Sequence, residues 1–116
     1  MAAIEGDYDV CVIGAGPAGL ACAFACQSRG LRVLVLEAGG AKRLPGGAVL
    51  DAEIANPLRH DPIDEVMCAG LGGTSLAWSG RALPFDELDF RDWPISYDEL
   101  APHYRAAAEF LGCHDA

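Results

Sequence analysis

The residues GAGPAG, at positions 14 to 19, constrain this chain more than any other stretch of it. They follow YDVCVI, residues 8–13, a short apolar run that reads as a buried strand. After them, residues 17–29 (PAGLACAFACQSR) are mostly good helix formers. Pro17 suits a first helical turn, where its missing N–H costs nothing, and Gly30 suits the stop. Residues 31–37, LRVLVLE, are β-branched and leucine-rich and predict a second buried strand. Strand, helix and strand within about 30 residues make a βαβ unit, with parallel strands and a right-handed crossover. On the helix, Gly19, Ala23 and Cys26 fall on one stripe small enough for close approach to a sheet.

Each glycine of the GxGxxG pattern has its own physical reason. Gly14 permits the tight turn, Gly16 lets a pyrophosphate approach the backbone, and Gly19 lets the helix pack closely on the strands. Pro17 and Ala18 lie between them in the first helical turn, where unpaired N–H groups and the helix dipole attract an anion. Glu37 ends the second strand 18 residues beyond Gly19. An acidic side chain there accepts hydrogen bonds from both ribose hydroxyls of an adenosine and repels a 2′-phosphate, which argues against NADP. Ala38 follows it on the same adenosine side. The pattern serves FAD and NAD equally, since both carry ADP.

A second glycine-rich stretch, GGTSLAWSG, occupies residues 72–80. Gly72 and Gly73 remove two successive side chains, Thr74 and Ser75 add hydroxyls, and Trp78 supplies a flat apolar wall, a combination suited to close backbone contact with a ligand. The same residues also fit a plain tight turn beside a buried Trp. Between the two glycine stretches, residues 38–62 are rich in Gly and Pro and read mainly as loop, and residues 63–68, IDEVMC, as a short strand. Near the end, Ser96 and Glu99 form a capping box ahead of an amphipathic helix carrying Leu100, Tyr104, Ala107 and Leu111. Pro102 predicts a kink in that helix and Gly112 its stop.

Composition narrows the partners. With 8 basic against 17 acidic residues the net charge is -9, which disfavours nucleic acid and anionic lipid. Lys42 and Arg43 are the only adjacent basic pair. The opening MAAIEGDYDV lacks the charged and apolar regions of a leader, and no run of about 18 apolar residues occurs, so a soluble cytoplasmic protein without membrane partners is expected. The cysteines at 11, 22, 26, 68 and 113 are odd in number and lack metal or CxxC spacing. Cys22 and Cys26 are expected to be small buried hydrophobes.

Three separated segments then carry a resemblance: YDVCVIGAGPAGLACAFACQSRGLRVLVLEAGG, GLGGTSLAWSGRALPF and DWPISYDELAPHYRAAAEFLG. In this order they resemble the N-terminal part of the glucose-methanol-choline (GMC) flavin oxidoreductases, nearest the branch of pyranose 2-oxidase and the sugar-acid and sugar dehydrogenases. The resemblance implies an α/β fold: a Rossmann-like FAD-binding βαβ unit, an incomplete parallel sheet and a C-terminal amphipathic helix. By carry-over, Gly14, Gly16, Gly19 and Glu37 would contact the ADP half of FAD. Gly72, Gly73, Thr74 and Ser75 would line the ribityl and flavin side. Covalent members of the branch carry a His immediately before the Trp that aligns with Trp78; Ala77 stands there, which implies noncovalent FAD. The DWPIS segment is structural in the family, so Asp92, Trp93 and Pro94 receive no catalytic role.

The family oxidises a CH–OH group of an alcohol or sugar, with a general base near the C-terminus of a longer chain. His60, His103 and His114 lie in no matching motif and read as solvated or structural, so no catalytic residue is expected in this chain. Residues 1–116 are expected to be the N-terminal portion of an FAD-binding domain, inactive without the remainder. Two alternatives remain at this point: an NAD-dependent Rossmann dehydrogenase, and a short nucleotide-binding module without chemistry.

Overall fold

A computed structural model of the chain describes residues 5–45 and 53–113. His114 lies outside the described residues, as does part of the loop expected at 38–62. The chain divides into two compact units, Met1–Trp78 and Ser79–Ala116.

The first unit is built on β1 (Val10–Ile13), α1 (Pro17–Gln27) and β2 (Val33–Leu36). β1 and β2 pair in parallel, with Val10 opposite Val33 and Ile13 opposite Leu36. Val12, Ala15 and Ala23 are buried where α1 lies on this pair. α1 presents the expected small stripe: Gly19 and Cys26 are half-buried and Ala23 is buried. A Cβ on Gly19 would run into the Gly14 carbonyl oxygen and meet Val12 Cγ1 at 3.2 Å, so helix and strand approach as closely as they do only without one.

Cys22, expected to be buried, is exposed. Successive helical residues are rotated by about 100°, so the narrow stripe that meets a two-stranded sheet runs through Ala23 and leaves Cys22 outside. The opposite sheet face has the same shortage of cover, and Ile13 on it is 87% exposed.

β3 (Leu44–Pro45) and β4 (Cys68–Ala69) form a short antiparallel pair, Leu44 opposite Ala69. The strand expected over residues 63–68 is replaced by a single helical turn, α2 (Ile63–Val66), with β4 beginning only at Cys68. Pro62 occupies its N-cap and Asp64 and Glu65 its first turn, where acidic side chains favour a helix start over an extended run. A five-residue 3₁₀ helix, Gly73–Ala77, follows β4.

The second unit packs around aromatic rings. Asp86 caps a 3₁₀ turn, Glu87–Phe90, through a reciprocal bond with Asp89. Phe90, only 8% exposed, stands edge-on to Phe85 at 6.2 Å and to Tyr97 at 5.9 Å, with Trp93 5.4 Å away. Trp93 is thereby a packing residue. The expected capping box is present: Ser96 Oγ accepts from the Glu99 N–H at 3.3 Å, while Glu99 accepts from the Ser96 N–H at 2.8 Å. It starts α3 (Tyr97–Leu100), and Pro102 then interrupts the helix with a 3₁₀ turn, Ala101–His103, before α4 (Tyr104–Leu111). The turn resets the helical phase, so Ala108 is half-buried beside Tyr104 and Leu111, while Ala107, expected on that stripe, is exposed. Gly112 ends α4 with φ 71°. Among the described residues no helix is long and apolar enough to cross a membrane.

Candidate functional site

The loop between β1 and α1 sits at the carboxyl end of the parallel strands, where ligands of open α/β sheets bind. Its three glycines separate cleanly on geometry. Gly14 has φ 100°, a left-handed conformation that a side chain strains. Gly19 is required by helix packing. Gly16 is required by neither: its φ is -75°, and an added Cβ would meet only the Gly72 carbonyl oxygen, at 3.8 Å. Among the described residues only the Gly72 carbonyl comes near the space that Gly16 leaves open, and that space lies beside the start of α1.

That helix start has no side-chain cap. The Leu20 N–H is the first to reach an acceptor within the helix, the Gly16 carbonyl, at 2.9 Å. Pro17 carries no N–H, so the amides of Ala18 and Gly19 are the first-turn donors without an intrahelical acceptor. Together with the aligned peptide dipoles they form a site for an anion such as a phosphate.

Glu37, one residue past β2, is half-buried. Its Oε2 accepts from the Ala15 N–H at 2.7 Å and its Oε1 from the Gly39 N–H at 2.8 Å. These two backbone bonds hold its carboxyl below the usual range, against the opposing effect of partial burial. An ionised carboxylate has about four acceptor sites, so capacity remains for a hydroxyl donor beside the Ala15 and Gly39 bonds and the lesser influence of the Ala38 N–H. Ala38 beside it is exposed.

The second glycine stretch lies directly against the first. The Gly72 N–H donates to the Ala15 carbonyl at 3.1 Å, and the Leu71 N–H donates to the Gly40 carbonyl at 3.0 Å. A Cβ on Gly73 would come within 3.5 Å of the Gly16 Cα. Gly39 and Gly70 touch so closely that a Cβ on Gly39 would overlap the Gly70 backbone. Residues 70–73 are thus fastened to both loops that leave the parallel strands.

Thr74 is exposed and Ser75 half-buried, with the Ser75 hydroxyl donating to the Gly72 carbonyl at 2.6 Å. Trp78 ends the 3₁₀ helix and is 40% exposed. The structure therefore brings Gly14, Gly16, Pro17, Ala18, Gly19, Glu37, Gly72 and Gly73 into one neighbourhood, with Thr74 and Ser75 on the turn that follows. Sequence reasoning missed Gly39 and Gly70, the contact that seats the second loop. The available signal was glycine itself: Gly39 in the doublet 39–40 and Gly70 two residues ahead of the doublet 72–73, with nothing local to pair them. His60 and His103 are exposed and stand apart from this group in the sequence. Among the described residues no cluster of His, Cys, Asp and Glu could hold a metal ion.

This fold and loop arrangement are those of a Rossmann-like nucleotide-binding domain, and a family profile described as an NAD(P)-binding Rossmann-like domain matches residues 12–62. Among curated proteins, the chain is similar to a probable electron transfer flavoprotein-quinone oxidoreductase of Escherichia coli. That match is 45% identical over 58 residues, covering 47% of this chain and 14% of the relative. It is also similar to a 2-methyl-1,2-propanediol dehydrogenase of Mycolicibacterium austroafricanum, 27% identical over 125 aligned positions, covering 83% of this chain and 23% of the relative. Both relatives are oxidoreductases by name, and the chain spans less than a quarter of each. No solved structure matches the chain significantly.

Proposed function

We propose that the chain is the FAD-binding portion of a GMC-type flavin oxidoreductase that oxidises CH–OH groups of alcohols or sugars. The observation that carries this reading is the docking of the 70–73 loop on the 14–19 loop, through the Gly72 to Ala15 bond. One glycine loop suffices for the ADP half that FAD and NAD share. A second, seated against the first and offering backbone rather than side chains, suits a long half beyond the pyrophosphate, and the ribityl-isoalloxazine of FAD is longer than the nicotinamide riboside of NAD. The names of the two relatives, a flavoprotein-quinone oxidoreductase and a diol dehydrogenase, support flavin chemistry and an alcohol substrate respectively.

The residues present fit such a group. Gly16 leaves room beside the unpaired amides of Ala18 and Gly19 for a pyrophosphate, Glu37 keeps acceptor capacity for a ribose, and Gly72 and Gly73 present a wall without side chains. When bound, the flavin would supply the acceptor for the substrate's hydride. This chain's residues bind and orient it, and Ala77 offers no nucleophile for a covalent link. The base that takes the hydroxyl proton lies outside the groups described, and no turnover is expected from residues 1–116 alone. The net charge of -9 and the absence of a basic cluster support small-molecule rather than nucleic-acid or anionic-membrane partners.

A second reading is favoured by the description of the matching family profile: the site takes NAD. Release of the bound nucleotide by denaturation, followed by chromatography and mass determination, separates the two. FAD in the supernatant of a yellow protein supports the proposal. NAD from a colourless one replaces it with the second reading, and NADP would overturn the role given to Glu37.

A further inference from the structure

Glu37 touches more than a ribose position. Its two carboxylate oxygens reach in different directions, one to the Ala15 N–H and one to the Gly39 N–H. The second loop is bonded to the same two segments: Gly72 to the carbonyl of Ala15, and Leu71 to the carbonyl of Gly40, next to Gly39. Each segment therefore receives the carboxylate on its N–H side and the 70–73 loop through a neighbouring carbonyl. Gly39 also lies against Gly70, so the spacing of the two segments sets the seat of the second loop.

We infer that Glu37 is a positioning residue for the 70–73 loop, acting through Ala15 and Gly39, and so couples the adenosine end of the nucleotide site to its far wall. The clamp works because one ionised group, just beyond the last β1–β2 bond (the Gly14 N–H to the Leu36 carbonyl at 2.7 Å), ties the turn after β2 to the loop after β1. Charge-assisted bonds to backbone N–H groups are stronger than neutral ones. A Gln at 37 has nearly the same shape, but one of its two positions is an NH₂ donor, which would face another donor at either Ala15 or Gly39. One bond would be lost and a repulsive contact made.

The coupling rests on the nucleotide-binding reading; the clamp itself does not. A nucleotide that hydrogen-bonds Glu37 would further order the carboxylate and, through it, the second loop, and by reciprocity an ordered second loop would favour the nucleotide.

Amide hydrogen exchange resolved by NMR on the full chain, with ADP as the probe, tests both parts. In the wild type without ADP, the Leu71 and Gly72 amides should be protected. In Glu37→Gln their protection should fall about tenfold or more, the order expected for loss of a charged hydrogen bond, while Val12 and Val35 in the β1–β2 pair change little. On acidification, the Ala15 and Gly39 amide signals should move with one midpoint, below the ordinary Glu value of 4.5, and Leu71 and Gly72 should follow it. A variant that removes the capping carboxylate of the second unit, Glu99→Gln, should leave all four unchanged.

Equal loss of protection across the first unit would reduce Glu37 to a general stabiliser and overturn the inference. Unchanged protection at Leu71 and Gly72 would overturn it as well. ADP should slow exchange at Leu71 and Gly72 in the wild type and not in Glu37→Gln at saturation; slowing in both would remove the coupling. Failure of ADP to bind the wild type would remove the nucleotide reading and the coupling with it, while the comparison without ADP would still decide the clamp.

Discussion

The Gly72 N–H donates to the carbonyl of Ala15 at 3.1 Å, joining residues 57 positions apart in the two glycine-rich stretches of the chain. Ala15 is the pivot: its N–H is held by Glu37 and its carbonyl by Gly72. It is also only 5% exposed, so both bonds are made beside a buried methyl group. A bond sheltered in this way competes less with water than one on the surface. The first loop therefore presents its remaining donors, at the start of α1, from a braced position.

Gly16 and Gly19 should respond oppositely to the same substitution. Gly16→Ala introduces a Cβ with an ordinary contact and an ordinary φ, so its stability in urea should stay within about 0.5 kcal/mol of the wild type, the range of changes that disturb no packing. Affinity for ADP, measured calorimetrically, should nevertheless drop about tenfold or more, since 1.4 kcal/mol of lost contact is tenfold. Gly19→Ala forces α1 away from Gly14 and should cost about 1–3 kcal/mol of stability, as overpacking does. Equal destabilisation by the two would mean that Gly16 is structural.

Gly39→Ala tests the seat of the second loop. Replacing Gly by Ala at an unstrained position stabilises a protein by about 0.4–1 kcal/mol through the unfolded chain. Here the new methyl would overlap the Gly70 backbone, so urea denaturation should instead show a loss of about 1–3 kcal/mol or more. A stabilised variant would show that the two loops separate at little cost.

Much of the first unit was legible because its signals are local. The β1–α1–β2 order follows from apolar runs, Pro17 and Gly30, and Glu37 could be placed by counting from Gly19. What the sequence could not reveal were relations between segments: that Gly39 abuts Gly70, that β3 and β4 pair, and that Glu37 binds backbone before any ligand. Each depends on contacts distant in sequence, which periodicity does not encode. Cys22 illustrates the same limit. Its helix was correctly located, but its burial depended on how many strands lie beneath that helix. Residues 63–68 went the other way, because Pro62 and two acids set a helical turn more strongly than the short apolar pattern set a strand.

Acid should loosen the capping box of α3. The Glu99 carboxyl is held below its ordinary value of 4.5 chiefly by the Ser96 N–H and then by the Ser96 hydroxyl. A group whose pKa is lower in the folded state contributes stability above its unfolded pKa and loses it as pH falls through the folded one. The Ser96 and Glu99 amide signals should therefore shift toward unfolded positions below about pH 4.5, and Glu99→Gln should show a flat profile there. Ser96→Ala should cost about 0.5–2 kcal/mol at neutral pH, the range for a lost N-cap. An acid transition unchanged in Glu99→Gln would assign it to other carboxylates.

Thiol labelling followed by peptide mass analysis checks the packing around both glycine loops. Reactivity requires an accessible thiolate. Cys11 and Cys22 are exposed and should react first. Cys26 should be slower at neutral pH, because burial, and then the adjacent Cys22 thiol, raise its pKa and reduce its thiolate fraction. Cys68 should be last: it is 6% exposed, in β4, and its Sγ donates to the Gly73 carbonyl at 3.3 Å. Because that bond ties β4 to the second loop, ADP should slow Cys68 labelling further, by the factor with which it suppresses opening of the loop. Rapid labelling of Cys68 in the presence of ADP would show that residues 70–73 are not held in the nucleotide-bound state, and the far wall assigned to Gly72 and Gly73 would have to be sought elsewhere.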